Sequence, residues 1–263
     1  MRLILLTHGG ADIVLEKLAA LENIEVAGVF VETVMSPNRG IVEKIRRSIK
    51  YDGLLGTVAK LFRKKDGASI GVGDRTVETV RNLGLTIYEV DNFHSESSVS
   101  LMQNAEADLG IIYGTNIIKE SVFSIPKLGS INLHQGLAPY YRGGPPIFWE
   151  LFNDEKEVGI TVHFVASKVD SGDIILQKNV PLDYDFACET DFEEFIASFQ
   201  AGLREESANL IAESVKLVMS GNEQRKPQDV SIGKRYRLPV KKEKDEMRRR
   251  LRQRINRGEN AED

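Results

Sequence analysis

The first 31 residues constrain the fold of this chain more than any other stretch. An apolar run, RLILL, spans residues 2–6 and predicts a buried strand, which the turn residues 7–10 end. Apolar positions at helical spacing then predict a helix over residues 11–21, and a second strand follows over 24–31. Because a strand, a helix and a strand in this order are typical of doubly wound α/β proteins, we predict an α/β fold with a mostly parallel sheet.

We expect this fold to occupy residues 1–190, with two additions. Apolar residues recur at helical spacing from about 36 to 73, and the polar face of that stretch is basic, so we predict a helical insert. The insert could bind an anionic acceptor or a membrane surface, or it could be a solvated helical hairpin packed on the domain. Residues 191–263 are predicted to form a helical C-terminal extension, with one long helix over 191–219.

The extension ends in a basic run, residues 248–254, which could contact nucleic acid or form a solvated terminal helix. The net charge of −4 argues against a general nucleic-acid binder. A single cysteine, Cys188, excludes an internal disulfide framework and fits a reducing compartment. With no apolar run of membrane-spanning length and no signal peptide, we expect a cytoplasmic protein.

An amide, an imidazole and a carboxylate mark the candidate site. Asn132 and His134 occupy alternate positions of a predicted strand, so both side chains leave the same face, and a Pro/Gly-rich loop follows over 139–146. Asp170 lies in a V-D-S-G-D turn after another predicted strand, over 160–165. Asn132 could stabilise an oxyanion, His134 could do so or transfer a proton, and Asp170 could orient the imidazole or a water. Local sequence also allows these residues to be ordinary loop and turn formers.

The segment INLHQGLAPYYRGGPP, with VDSGDII after it, resembles the catalytic core of the folate-dependent formyltransferases. That family includes enzymes acting on glycinamide ribonucleotide, Met-tRNA and nucleotide-linked amino sugars. The resemblance implies a Rossmann-like formyltransferase fold and places the family's catalytic Asn-x-His and Asp on Asn132, His134 and Asp170. It also implies 10-formyltetrahydrofolate as cosubstrate and no metal. The chain departs from the family pattern at Gly136, where serine is usual, and at Ala138.

The resemblance implies further ligand contacts. Side chains of the YGTNIIKE segment would flank the pterin, and main chain before the catalytic Asp would hold its edge. The cofactor-binding residues implied in this way are Asn116, Ile118, Val165, Ser167, Val169 and Asp170. We predict that Arg142 and Gly143 in the glycine-flanked loop bind substrate, and the alternative for Arg142 is a surface arginine that rigidifies the loop. We assign His163 mainly a supporting position.

The expected partner is a small-molecule primary amine, and we favour an amino sugar carried on a nucleotide. Glycinamide ribonucleotide and Met-tRNA are the alternative acceptors, although about 70 residues after the core leave little room for a tRNA-binding barrel domain. Two other classes stay open: a hydrolase that releases formate, and an inactive folate-binding module. A homodimer is also left open.

Overall fold

The computed structural model describes residues 1–33, 46, 50–51, 72–183 and 191–257. Most of the predicted insert, residues 36–73, therefore lies outside the described residues, and so does Cys188. Nine strands are described: β1 (Arg2–Thr7), β2 (Glu25–Glu32), β3 (Ile87–Val90), β4 (Leu109–Tyr113), β5 (Ser130–His134), β6 (Tyr141–Gly143), β7 (Glu157–Phe164), β8 (Ile174–Pro181) and β9 (Lys234–Tyr236). The described helices are α1 (Asp12–Ala19), α2 (Val72–Asn82), α3 (Glu96–Asn104), α4 (Glu120–Phe123), α5 (Phe148–Phe152), α6 (Phe192–Gly202), α7 (Arg204–Ser220) and α8 (Lys241–Arg257).

Seven strands form one sheet in the order β3-β2-β1-β4-β5-β7-β8. The five strands from β3 to β5 are parallel, whereas β7 and β8 continue the sheet in antiparallel pairing. The predicted doubly wound, mostly parallel α/β fold is confirmed. The chain reverses its direction of winding between β1 and β4, and crevices at such points, outside the carboxyl ends of the strands, are where α/β folds bind ligands.

Apolar side chains cover both faces of the sheet. The larger cluster joins β1, β2, β4, β5 and β7 to α1, α5, α6, α7 and α8, and the smaller one lies on the other face, with residues of α3 and α4. Strand β1 is buried over its last five residues, which explains why its sequence is continuously apolar rather than alternating. The sheet is therefore a rigid platform for the loops at its carboxyl edge.

The C-terminal extension differs from the prediction in three ways. The single helix predicted over 191–219 is two helices, α6 and α7, which meet at Leu203 directly after Gly202, a residue of low helix propensity. An unpredicted strand, β9, pairs in parallel with β6. The terminal basic helix is also not merely solvated, because Met247 and Leu251 of α8 are 2% and 3% exposed within the larger cluster.

In the part of the chain that the structure describes, no helix is both long and apolar enough to cross a membrane.

Candidate active site

Strand β5 delivers the predicted amide and imidazole to the carboxyl edge of the sheet. It lies between parallel β4 and antiparallel β7, in a register that sets Asn132 beside Ile112 on one side and His163 on the other. His134 ends the strand, opposite Thr161 of β7. Since alternate residues of a strand face the same way, Asn132 and His134 share one face, as predicted.

The His134 imidazole is held from one side by the first residue of β6. Its Nε2 lies 2.7 Å from the Tyr141 carbonyl oxygen, which can only accept, so Nε2 carries the proton. Its Nδ1 lies 3.6 Å from Oδ2 of Asp170. Burial lowers the pKa of His134, and the Asp170 charge offsets this only in part. The ring is therefore neutral near pH 7, with a lone pair on Nδ1 that can accept a proton.

Asp170 lies at the centre of the site. Its Oδ2 accepts a hydrogen bond from the Gly143 N–H at 2.8 Å, and its Oδ1 lies 3.4 Å from Nε2 of His163. Burial on its own would raise the pKa of the Asp170 carboxyl, but contact with His163, the nearby His134 and the Gly143 hydrogen bond hold that pKa well below its usual range. The backbone of Asp170 is left-handed, with φ 47°, which an aspartate tolerates in a turn. The group is thus an ionised, fixed carboxylate.

His163 connects the other members of the site. It is 2% exposed, its Nδ1 donates to the Phe164 carbonyl at 2.7 Å, and its Nε2 lies 3.4 Å from Nδ2 of Asn132. Because Nε2 is also 3.4 Å from Asp170, one imidazole contacts both the amide and the carboxylate. The antiparallel register of β5 and β7 creates this contact, and the sequence alone does not reveal that register.

These side chains line a cavity of about 880 Å³, within the usual range for small-molecule sites. Residues from five stretches surround it: 114–118, 132–134, 143–146, 163–170 and 235–238. The structure places nearly every predicted site residue on its wall: Asn116, Ile118, Asn132, His134, Gly143, Val165, Ser167, Val169 and Asp170. Residues from four segments that are separated in the sequence therefore line the same cavity.

The cavity wall has features that fit a pterin. The main-chain groups of Ala166, Ser167 and Val169 have no hydrogen-bond partner among the residues that the structure describes, so they can pair with the polar edge of a ligand. Ile117 and Ile118 supply apolar surface across the cavity. Mixed apolar walls with a few convergent polar groups are typical of cofactor and small-molecule sites. No group of three or more His, Cys, Asp or Glu within the described ranges could hold a metal ion.

The predicted substrate contact of Arg142 needs correction. This side chain is 7% exposed and donates from Nε to the Pro139 carbonyl at 3.2 Å and from Nη2 to the Val230 carbonyl at 3.3 Å. It is not on the cavity wall. Its guanidinium therefore ties the loop before β6 to the C-terminal extension, and of the predicted pair only Gly143 reaches the cavity.

Gly136 supports the orientation of His134. A Cβ at this position would lie 2.4 Å from Nε2 of His134 and 2.6 Å from the Tyr141 carbonyl oxygen. Both atoms belong to the hydrogen bond that holds the ring. In this chain, a side chain at position 136 is incompatible with that bond, which explains the departure from serine noted in the sequence.

The C-terminal extension contributes a wall that sequence reasoning missed. Strand β9 brings Arg235, Tyr236 and the residues after it to the cavity. The Tyr236 ring stacks on Tyr141 at 5.1 Å, and Trp149 Nε1 donates to the Arg237 carbonyl at 2.8 Å. No short-range signal marks a three-residue strand, because its pairing with β6 is a tertiary contact.

A buried carboxyl lies beside the His134 imidazole. Glu150 of α5 is 2% exposed and shares a narrow recess with His134, Tyr141 and Tyr236. Burial raises the pKa of Glu150 to about 7. Hydrogen bonds from the main-chain N–H groups of Glu150 and Ile147 lower this pKa, but their effect is smaller. Ile147 itself adopts φ 72°, a strained conformation for a β-branched residue. This helix start is thus strained and titratable next to the site.

Comparison with known proteins agrees with the geometry. A family model described as "Formyl transferase" matches residues 3–198. The methionyl-tRNA formyltransferase of Chlorobium limicola is 35% identical over 155 residues, which cover 59% of this chain and 46% of that protein. The chain thus spans about half the length of the curated relatives it matches.

Solved structures share the fold. A glycinamide ribonucleotide transformylase from Symbiobacterium toebii superposes with a TM-score of 0.57 at 21% identity, covering 87% of this chain and 93% of that one. The sugar 3N-formyl transferase WlaRD, solved in the presence of dTDP and 5-N-formyl-THF, superposes with a TM-score of 0.54 at 14% identity, covering 90% of this chain and 69% of that one. Since the family model spans most of its residues, this chain belongs to the formyl transferase family.

Proposed function

We propose that this protein transfers a formyl group from 10-formyltetrahydrofolate to a primary amine. The observation that carries the proposal is the meeting of Asn132, His134 and Asp170 on the wall of a single cavity. In the reaction, the amine nitrogen forms a bond to the formyl carbon, the bond from that carbon to the folate nitrogen breaks, and the amine loses a proton while the leaving nitrogen gains one. Each of these changes has a matching group in the cavity.

His134 is the proton acceptor in this account. Its Nε2 is already committed to the Tyr141 carbonyl, so the neutral ring offers Nδ1. When Nδ1 takes the amine proton, the Asp170 carboxylate at 3.6 Å stabilises the imidazolium that results. The same imidazolium can then return a proton to the leaving nitrogen. Asp170 is the positioning residue, and the Gly143 N–H holds it in place.

Asn132 stabilises the negative charge that develops on the formyl oxygen. Its amide lines the cavity two residues before His134, and the only short contact recorded for Nδ2 within the described ranges is 3.4 Å, to His163. A hydrogen bond of that length is weak, so the N–H groups remain available to a substrate oxygen. Loss of one oxyanion donor typically lowers kcat by about 100- to 1,000-fold.

We propose an amino sugar on a nucleotide as the acceptor. The D-S-G-D turn and the Y-R-G-G loop resemble the sugar and tRNA branches of the family more than the ribonucleotide branch. Met-tRNA is the second candidate, because the relative from Chlorobium limicola bears that name.

The test is folate turnover, followed by absorbance, with a panel of aminodeoxy nucleotide sugars, glycinamide ribonucleotide and Met-tRNA. We expect turnover with one nucleotide-linked amine and loss of that turnover in His134→Ala. Turnover only with Met-tRNA or the ribonucleotide would refute the amino-sugar acceptor but support formyl transfer to an amine. Failure of the protein to bind folate would refute the proposal.

A further inference from the structure

Two guanidinium groups on the cavity wall formed by residues 235–238 differ in their partners. Arg237 donates to both carboxylate oxygens of Glu243, at 2.9 and 2.6 Å, and to the Leu238 carbonyl, so its charge is balanced within the protein. Arg235 also lines the cavity. Among the residues that the structure describes, its side chain makes no hydrogen bond, ion pair or ring contact. Its charge is therefore available to a ligand.

Arg235 is anchored close to the reacting groups. Strand β9 pairs with β6 so that Arg235 lies beside Arg142 and Tyr236 beside Gly143. A Cβ built on Gly143 would lie 3.3 Å from Cγ and 3.7 Å from Nε of Arg235, so the stem of the arginine packs on this glycine. Gly143 is also the donor that holds Asp170. The stem of Arg235 therefore packs on the residue whose N–H donates to the Asp170 carboxylate.

Among the described residues, no carboxylate on the cavity wall forms an ion pair with Arg235. Asp170 accepts a hydrogen bond from the Gly143 N–H, and His134 is neutral near pH 7. Arg237 is paired outside the cavity. A planar guanidinium that faces a cavity with free donors matches the oxygens of a phosphoryl or carboxylate group in a two-bond geometry.

We propose that Arg235 binds a phosphoryl group of the amine acceptor and thereby sets the direction in which the acceptor enters. This inference rests on the proposed function and deepens it, because it names the part of the acceptor that the protein grips. Nucleotide-linked amino sugars, glycinamide ribonucleotide and tRNA all carry phosphoryl groups. With the phosphoryl group on β9, the amine points toward His134 and the folate occupies the wall formed by residues 114–118 and 165–169. The glutamyl carboxylates of folate offer the same chemistry, and the experiment separates the two sources.

The experiment is calorimetric titration of the full chain with pyrophosphate, UDP, dTDP and 5-formyltetrahydrofolate. Arg235→Gln removes the charge, and Arg235→Lys keeps the charge without the planar fork. Arg252→Gln is the matched control, because Arg252 is exposed on α8, away from the cavity, and has no partner among the described residues. Circular dichroism of each variant verifies the fold.

We expect the wild type to bind pyrophosphate and at least one of the two nucleotides. Arg235→Gln should weaken that binding about 10- to 100-fold, Arg235→Lys should weaken it less, and Arg252→Gln should leave it unchanged. Binding of 5-formyltetrahydrofolate should be the same in all four proteins. Because no formyl transfer is involved, these results do not depend on turnover with any amine.

Three outcomes would overturn the inference. The wild type could fail to bind pyrophosphate, UDP and dTDP. Arg235→Gln could bind them as tightly as the wild type does. The loss could instead fall on 5-formyltetrahydrofolate, which would assign Arg235 to the folate carboxylates.

Discussion

His134 illustrates how the protonation and orientation of a site residue depend on atoms that its position in the sequence does not reveal. The residue types of Asn132, His134 and Asp170 were enough to predict acyl-transfer chemistry, and the strand period put the first two on one face. Which nitrogen of the imidazole is free was not predictable. That depends on the Tyr141 carbonyl, 2.7 Å from Nε2, and on a loop conformation that leaves no room for a side chain at Gly136.

The first prediction concerns Gly136. Changing Gly136→Ser, the residue usual in relatives, would put a Cβ against both Nε2 of His134 and the Tyr141 carbonyl. We expect the imidazole to be displaced and kcat to fall about 100-fold, since misplacement of a reacting group by about 1 Å has effects of that size. Steady-state kinetics with the accepted amine measures this.

The control for that substitution is Gly202→Ser. A Cβ at position 202 would meet nothing within 4 Å, so the change adds the same atoms at an open position. We expect its kcat to match the wild type. If Gly136→Ser also kept the wild-type kcat, the orientation assigned to His134 would be wrong.

At the scale of elements, long apolar segments could be predicted and short contact-dependent ones could not. The parallel strands follow from continuous apolar runs such as residues 2–6, because both faces of those strands are covered. Strand β9 exists because Tyr236 stacks on Tyr141 and β6 offers an edge, neither of which lies nearby in sequence. The Arg142 assignment failed for the same reason, since its partner Val230 lies 88 residues away.

The second prediction concerns helix α5 and the pH dependence of stability. Burial raises the pKa of Glu150 to about 7 from the usual 4.5, so the folded state holds this proton more tightly than the unfolded state does. The stabilisation is complete below about pH 4.5 and is lost as the pH rises through about 7, by up to about 3 kcal/mol in total. Glu150→Gln should remove this slope. Urea unfolding at pH 5 and pH 8 measures it.

The exposed Glu96 of α3 provides the comparison for Glu150. Glu96→Gln should change the free energy of unfolding equally at the two pH values. A Glu150→Gln protein whose unfolding free energy varies with pH as the wild type's does would show that Glu150 is not a buried acid.

At the scale of the whole molecule, the C-terminal extension is part of the same core as the sheet. Met247 and Leu251 join a cluster that begins at Leu3, and Arg250 donates to the Phe152 carbonyl at 2.9 Å. The arginine-rich composition of residues 248–254 suggested a solvated helix. The sequence could not show that Met247 and Leu251, four residues apart, pack in the core against elements that are distant in the chain.

The third prediction follows from that packing. Met247→Ala should lower the free energy of unfolding by about 2 to 5 kcal/mol, since truncating a buried methionine leaves a cavity. Arg252→Ala, on the exposed side of the same helix, should change it by less than about 0.5 kcal/mol. Equal effects of the two substitutions, measured by urea unfolding, would contradict the packing of α8.

The central claim is that the His134 site moves a formyl group from folate to an amine. The most direct measurement is a single turnover with formyl-labelled 10-formyltetrahydrofolate and the amine panel, in which the label is traced by chromatography. His8→Ala is the matched control for His134→Ala, because it removes a similarly buried imidazole outside the cavity wall, with side-chain exposures of 8% and 10%. The account predicts label in a formamide with the wild type and His8→Ala, and almost none with His134→Ala. Label appearing only as formate, or a formamide formed equally by His134→Ala, would contradict it.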